Sequence, residues 1–343
     1  MRVLIIKTSS MGDIIHTFPA LSDAVRANPS IRFDWVVEEA FEEIPKWHPA
    51  VDQVIPSAMR RWRKSWLKSF IGGEIRCFKK ILQATTYDAV IDAQGLLKSA
   101  FLIRKALGPK YGLDEDSARE PLASRFYDHR LAVPWNQHAV ERVRQLFSMA
   151  LDYKYYDMPL DYGLNIKPLA QKHSPAVMLL HGTTWSSKQW SMDFWTDLAN
   201  QANQDGFHVL LPAGNDSERL FADQVAQQVE AASVLSGMQL SEIAGTLAAV
   251  DGFVAVDTGL AHLAAALSVP GVSLYGATLA EKTGTLGRNQ QHIQADIECS
   301  PCFKRTCPIL GEGQTVTPCS QQIDASAVWQ KLTKQMQTRE TQA

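Results

Sequence analysis

The chain has 343 residues, 34 Lys plus Arg against 36 Asp plus Glu, and a formal net charge of −2. With 45% apolar and 20% charged residues it has the composition of a soluble globular protein, which excludes a disordered chain, a coiled coil and a collagen-like fibre. The length suits about two domains, and with no global basic field for nucleic acid, any anion site must be local.

Arg2-Val-Leu-Ile-Ile-Lys7 predicts a buried strand, followed by the polar turn Thr8-Ser-Ser-Met-Gly-Asp13. Apolar Ile14, Ile15, Phe18, Leu21 and Val25 have helical spacing and predict a helix over 14–27. Residues 33–37 and 88–92 predict two more strands, the second running into Ala93-Gln-Gly95. Residues 165–175 are polar, carry Pro168 and Pro175, and read as a linker. The pattern then restarts, with strands over 176–180, 209–212, 254–256 and 272–275 and a helix over 259–267. A last helix is expected over 323–336, with 337–343 frayed.

Continuous apolar strands alternating with amphipathic helices indicate parallel sheets covered on both faces. The expected fold is therefore α/β, with two Rossmann-like doubly wound domains, 1–165 and 166–322, and a C-terminal helix and tail over 323–343. Ligands are expected outside the carboxyl ends of the strands, in a cleft between the halves. The sequence shows neither a secretory signal nor an apolar run near the ~20 residues that span a bilayer. This reads as a cytoplasmic chain, soluble or peripherally bound.

The loop 8–13 has one glycine and is neither a Walker A loop nor a GxGxxG fingerprint, which weakens the NTPase and nicotinamide readings. On spacing alone Asp13 is better placed to cap a helix beginning at Ile14 than to act as a general base at a cleft mouth. Val256-Asp-Thr-Gly-Leu-Ala-His262 ends a strand and opens a helix. Such an N-terminus suits a phosphate, and Gly259 allows close approach, although an ordinary capped turn reads equally well. Lys188, just past a strand end, can neutralise a diphosphate or simply be solvated. Glu218, after Gly214-Asn215, can accept from ribose hydroxyls or face solvent.

Met59-Arg-Arg-Trp-Arg-Lys-Ser-Trp-Leu-Lys68 packs five basic residues with two Trp, which suits an anionic membrane surface or a phosphorylated glycolipid better than a plain solvated face. Arg119 is a further anion-binding candidate. Cys299, Cys302, Cys307 and Cys319 form C-x2-C-x4-C-x11-C. That spacing matches no standard zinc finger, so reduced thiols are favoured over structural zinc, and zinc over disulfides.

Lys7-Thr-Ser-Ser-Met-Gly-Asp13, Phe33-Asp-Trp-Val-Val-Glu-Glu39, Arg60-Arg-Trp-Arg-Lys64, Tyr87-Asp-Ala-Val-Ile-Asp-Ala-Gln-Gly95, Ala118-Arg-Glu-Pro-Leu-Ala-Ser124, His138-Ala-Val-Glu-Arg142 and Asp257-Thr-Gly-Leu-Ala-His262 together resemble the lipopolysaccharide heptosyltransferase I family, within glycosyltransferase family 9. The resemblance runs from residue 1 to about 290. It implies a GT-B fold and a metal-independent, inverting transfer without cofactor. It also implies ADP-L-glycero-β-D-manno-heptose as donor, the inner Kdo of Kdo2-lipid A as acceptor, and peripheral contact with the inner face of the cytoplasmic membrane. By the same resemblance Asp13 matches the catalytic base, against the cap reading. Lys188, Glu218, Asp257, Thr258, Gly259 and His262, with Thr183 and Thr184, match donor-binding positions. Arg60, Arg61, Arg63, Lys64 and Arg119, with Lys7, Ser9, Ser10 and Gly12, match acceptor-binding positions. The rival readings are a heptosyltransferase II or another relative with a different acceptor, and a non-catalytic sugar-nucleotide-binding module.

Overall fold

The computed structural model describes residues 1–64, 72–169, 175–311 and 316–342. Residues 65–68 of the basic run and 170–174 of the expected linker lie outside the described residues. The chain divides into two compact units, Met1–Asn165 and Ile166–Ala343.

The first unit holds β1 (Arg2–Ile6), β2 (Arg32–Glu38), β3 (Val51–Ser57), β4 (Ala89–Asp92), β5 (Lys110–Leu113) and β6 (His129–Leu131). They form one six-stranded sheet in the order β3-β2-β1-β4-β5-β6, and every pairing is parallel. The second unit holds β7 (Ala176–Leu180), β8 (His208–Ala213), β9 (Ala232–Ser236), β10 (Gly252–Val256), β11 (Gly271–Tyr275) and β12 (Gln290–Gln294). Its order, β12-β11-β10-β7-β8-β9, is the same winding read from the other edge. Each sheet is the doubly wound 3-2-1-4-5-6 arrangement, with its strand order reversing between the first and fourth strands.

The central strands are apolar because both of their faces are covered. Val3, Leu4, Ile5 and Ile6 of β1 are fully buried, and so are Val177, Met178 and Leu179 of β7. Each such side chain contributes roughly 1.5–3 kcal/mol of burial free energy. Leu4 and Ile6 pack with Trp62, Phe78, Leu82 and Ile103 on one face of the first sheet, and strand alternation sends Val3 and Ile5 to the other.

Two expectations are corrected. The helix expected over 14–27 is two helices, Met11–Ile15 and Phe18–Ala27. Pro19 explains the break: inside a continuous helix its ring would clash with the carbonyl of Ile15, whereas the first turn of a new helix tolerates it. The last helix is Ala325–Gln342, so the stretch expected to fray is helical to Gln342. Its Val328, Trp329, Leu332 and Met336 belong to the core of the second unit rather than to a separate tail.

Candidate active site

Where strand order reverses, the loops leaving the two central strands diverge and leave a crevice at the carboxyl end of the sheet. In the first unit these are the loops after β1 and β4. Ser10, not Asp13, is the N-cap of the helix Met11–Ile15. Asp13 is the third helical residue, and its Oδ2 accepts from the Ser10 N–H at 2.8 Å and the Ser10 hydroxyl at 2.9 Å. The expectation that Asp13 caps a helix starting at Ile14 is therefore corrected. It is the reaching-back carboxylate of a capping box, fixed in one orientation at the end of β1.

The loop rests on Gln94. Gln94 Oε1 accepts from the Thr8 N–H at 2.8 Å and the Thr8 hydroxyl at 2.7 Å, while its Nε2 donates to the Ser9 carbonyl at 2.8 Å. Gln94 is held in turn by the fully buried Asp92, whose Oδ1 accepts from the Gln94 N–H at 2.8 Å and the Gly95 N–H at 3.2 Å. Asp92 Oδ2 accepts from the Tyr127 hydroxyl at 2.8 Å. Burial pushes the Asp92 carboxyl up, against these hydrogen bonds. Gly95 takes a φ of +64°, which a glycine adopts without strain. Its carbonyl accepts from the Glu120 N–H at 3.1 Å, which brings the Arg119 backbone beside the loop.

The basic residues divide by environment. Lys7 is buried and donates to the Ala93 carbonyl at 2.8 Å, so it braces the loop from inside. Lys98, which sequence reasoning missed, donates from Nζ to Ser9 Oγ at 2.9 Å. Burial and then the charge of Arg60 lower its pKa, while Glu38 and Asp13 oppose the shift. Lys98, Arg60, Glu38 and Asp13 thus share one field. Glu38 also accepts from the Arg60 backbone N–H at 2.9 Å. Arg61 is engaged by carboxylates, at 2.7 Å from Glu74 and 3.1 Å from Glu39. Arg63, Lys64 and Arg119 are exposed, and Gly12 is buried within its short helix.

In the second unit the reversal lies between β7 and β10. Asp257, directly after β10, is buried, and its Oδ2 lies 2.6 Å from Lys188 Nζ and accepts from the Thr278 hydroxyl at 2.6 Å. His262 Nε2 is 3.8 Å from its Oδ1. Burial alone would raise the Asp257 carboxyl. The hydrogen bond from His262 and the Lys188 ammonium outweigh that and hold it well below the usual carboxylate range.

Thr258 is the N-cap of the helix Gly259–Ala266, without a side-chain cap hydrogen bond, and His262 is buried in that helix. After β7, Thr183 is partly exposed and Thr184 exposed, and Thr183 Oγ1 lies 3.5 Å from the Asp257 carbonyl. Lys188 Nζ also sits 4.4 Å from the centroid of Trp185, a cation–π contact. Glu218 accepts the Gly214 N–H at 2.8 Å, and a Cβ built on Gly182 would stand 2.9 Å from its Cδ.

The structure therefore gathers Lys188, Asp257, Thr258, Gly259 and His262 at one reversal point, with Thr183 beside them. It gathers Asp13, Ser9 and Ser10 at the other, holds Arg60 beside Glu38 at the end of β2, and leaves Arg63 and Lys64 on the surface. Gln94, Glu38, Lys98 and Thr278 were missed. Gln94 stood inside the quoted run 87–95, but its role depends on a contact 85 residues back along the chain. Cys299, Cys302, Cys307 and Cys319 are free thiols lining one cavity with Ser187 and Gly276. Among the described residues no group of three His, Cys, Asp or Glu is arranged to hold a metal ion.

Comparison with known proteins identifies the family. Residues 75–311 match the family model of glycosyltransferase family 9 (heptosyltransferase). Lipopolysaccharide heptosyltransferase 1 of Pseudomonas aeruginosa is 54% identical over 310 residues, covering 90% of this chain and 87% of that protein. The Escherichia coli protein of the same name is 46% identical over 302 residues, covering 87% and 95%. The structure of the E. coli heptosyltransferase WaaC with ADP superposes with a TM-score of 0.86 at 42% identity, over 98% of this chain and 100% of that one. Both Rossmann-like sheets have their counterpart in that GT-B structure. A fold wound twice in the same order and identity at this level over nearly the whole length lead to one conclusion: the chain belongs to glycosyltransferase family 9, among its type 1 lipopolysaccharide heptosyltransferases.

Proposed function

We propose that the protein transfers L-glycero-D-manno-heptose from ADP-L-glycero-β-D-manno-heptose to the inner Kdo of Kdo2-lipid A, with inversion at the anomeric carbon and Asp13 as general base. The observation that carries the reading is the fixed carboxylate of Asp13 at the β1 end, in a loop that Lys98 joins through Ser9 Oγ. The donor half of the reading draws on the E. coli WaaC structures solved with ADP and with ADP-2-deoxy-2-fluoro heptose.

Inversion takes one in-line displacement. The acceptor hydroxyl attacks one face of the anomeric carbon while ADP departs from the other, through an oxocarbenium-like transition state. Asp13 takes the hydroxyl proton as the bond forms, which requires only hydrogen-bond reach. Lys188 and the backbone amides that open the helix Gly259–Ala266 meet the charge growing on the departing diphosphate. The rigid pairing of Lys188 with Asp257 fixes the ammonium in advance, so little reorganisation is needed. Glu218 lies where it can accept from ribose hydroxyls. Arg60, Arg63, Lys64 and Arg119, together with the Ser9–Ser10 turn, take the carboxylates and phosphates of the acceptor. The reaction runs without a metal, and the protein meets its lipid acceptor by peripheral contact at the inner face of the cytoplasmic membrane.

The test is ADP release from ADP-heptose with O-deacylated Kdo2-lipid A, in EDTA, comparing the unmodified chain with Asp13→Ala and Asp13→Asn. The expected result is acceptor-dependent release by the unmodified chain, an α-linked heptose in the product, and a loss of at least about a hundredfold in both variants. Normal turnover by Asp13→Asn would remove Asp13 as the base. Donor binding with no turnover on any acceptor would return the chain to a sugar-nucleotide-binding module.

A further inference from the structure

We propose that one face of the first unit docks on an anionic lipid bilayer. The helices Met59–Lys64, Glu74–Leu82 and Leu97–Ile103 and the 3-10 turn Pro121–Phe126 all send side chains into one cluster, with Trp62, Phe78, Ile103 and Ala123 meeting Leu4 and Ile6 of β1. They therefore cover the same face of the sheet. Over residues 59–64, 74–82, 97–105 and 121–126 the sequence has eleven Lys or Arg and one acidic residue, Glu74. The rest of the chain has 23 basic and 35 acidic residues. A nearly neutral protein thus concentrates positive charge on one layer of helices that are far apart in sequence. Arg76, Lys79, Lys80, Arg104, Lys105 and Arg125 are exposed there. Arg61 is the member paired with carboxylates.

Apolar side chains stand out among these cations. Phe101 is 55% exposed and Leu122 53% exposed, and Phe101 packs edge-on against Phe126 at 5.3 Å between centroids. Ile81 is exposed on the neighbouring helix. Cations around a protruding apolar ridge match the two layers of a membrane interface, with lipid phosphates meeting the cations and the acyl boundary meeting the ridge. The aliphatic Leu122 and Ile81 offer no stacking plane to a nucleic-acid base. Among the described residues no helix is long and apolar enough to cross a membrane. This deepens the peripheral-contact reading above, and vesicle binding is measured without donor or acceptor, so the two can fail separately.

The full chain is sedimented with phosphatidylcholine vesicles, with and without phosphatidylglycerol, in low and high salt. Binding to the anionic vesicles is expected to exceed binding to the zwitterionic ones by at least about tenfold and to weaken in high salt. The pair Phe101→Ser with Leu122→Ser, and separately Arg104→Glu with Lys105→Glu, should each weaken it by about tenfold. ADP release with the water-soluble O-deacylated acceptor should stay within about twofold, since none of these side chains is placed at the site. If either pair melts early, Lys79→Glu with Lys80→Glu takes its place with the same expectation. The proposal is overturned if the unmodified chain ignores anionic vesicles, if both vesicle types bind alike, or if folded variants bind as well as the unmodified chain.

Discussion

Lys188 Nζ and Asp257 Oδ2 are 2.6 Å apart, and the same oxygen accepts from the Thr278 hydroxyl at 2.6 Å. The contact ties the loop after β7 to the loop after β10 across the point where the second sheet reverses. It is a largely buried pair, with side-chain exposures of 14% and 9%. Asp257→Ala would leave the Lys188 charge without its partner, at a cost on the order of 3 kcal/mol. Urea unfolding of both single variants and the double variant should show this, with Asp257→Ala plus Lys188→Ala less destabilised than the sum. The Asp257 carboxyl is held below its ordinary range, so its contribution is complete above the unfolded carboxylate pKa and fades only as the pH falls through the depressed value. Between pH 6 and 8 the pair should therefore not change. Lys188→Ala should weaken ADP binding by about tenfold, measured by calorimetry.

Gln94 is a positioning residue. It holds the Thr8–Ser9 turn with three hydrogen bonds of 2.7–2.8 Å, two to the backbone and one to the Thr8 hydroxyl, and that turn leads into the helix that carries Asp13. Gln94→Ala should lower kcat by about tenfold while ADP affinity stays unchanged, because the donor residues lie on the other sheet. Gln94→Glu keeps the acceptor at Oε1 but cannot donate to the Ser9 carbonyl, and should fall between the two.

Gly182 is a different kind of probe. A methyl group there would meet the Glu218 carboxylate at 2.9–3.2 Å, the far end of a movable side chain. Gly182→Ala should therefore push Glu218 aside rather than unfold the unit. Donor affinity is expected to fall severalfold with less than about 1 kcal/mol lost in unfolding, within the range of a tolerated near-surface change. A drop in stability with donor affinity intact would show that Glu218 does not touch the nucleotide.

The first unit should also weaken in mild acid through His48. This side chain is buried against Phe18, and burial lowers its pKa from 6.5 to about 4, with Asp161 opposing. Its Nδ1 accepts from the Ala50 N–H at 3.2 Å, which leaves Nε2 to donate to Ser22 Oγ at 3.2 Å. The unfolded chain binds this proton more readily, so stability is full above pH 6.5 and declines as the pH falls toward 4. The contribution lost is about 2 kcal/mol at pH 5 and about 3 kcal/mol at pH 4. Urea midpoints across that range should flatten in His48→Gln.

The sequence alone determined the α/β class, the two doubly wound halves and the central strands. β1, β4, β7, β10 and β11 lie between two strands with helices on both faces, so their sequences must be continuously apolar, and such runs are legible. The edge strands β3, β6, β9 and β12 and the short β5 were not read, because partial exposure dilutes their apolar runs. The Asp13 loop and the run 257–262 were legible as strand-to-helix junctions. Only the tertiary structure decided that the first is braced by Gln94 and Lys98, that Lys188 closes onto Asp257, and that Lys7 points inward. Each of those facts is a contact between residues about 70 to 90 positions apart, and no local pattern in a single sequence encodes it. The basic face has the same origin. Its four segments carry ordinary solvated charges when read one by one, and packing on one side of one sheet joins them into a surface.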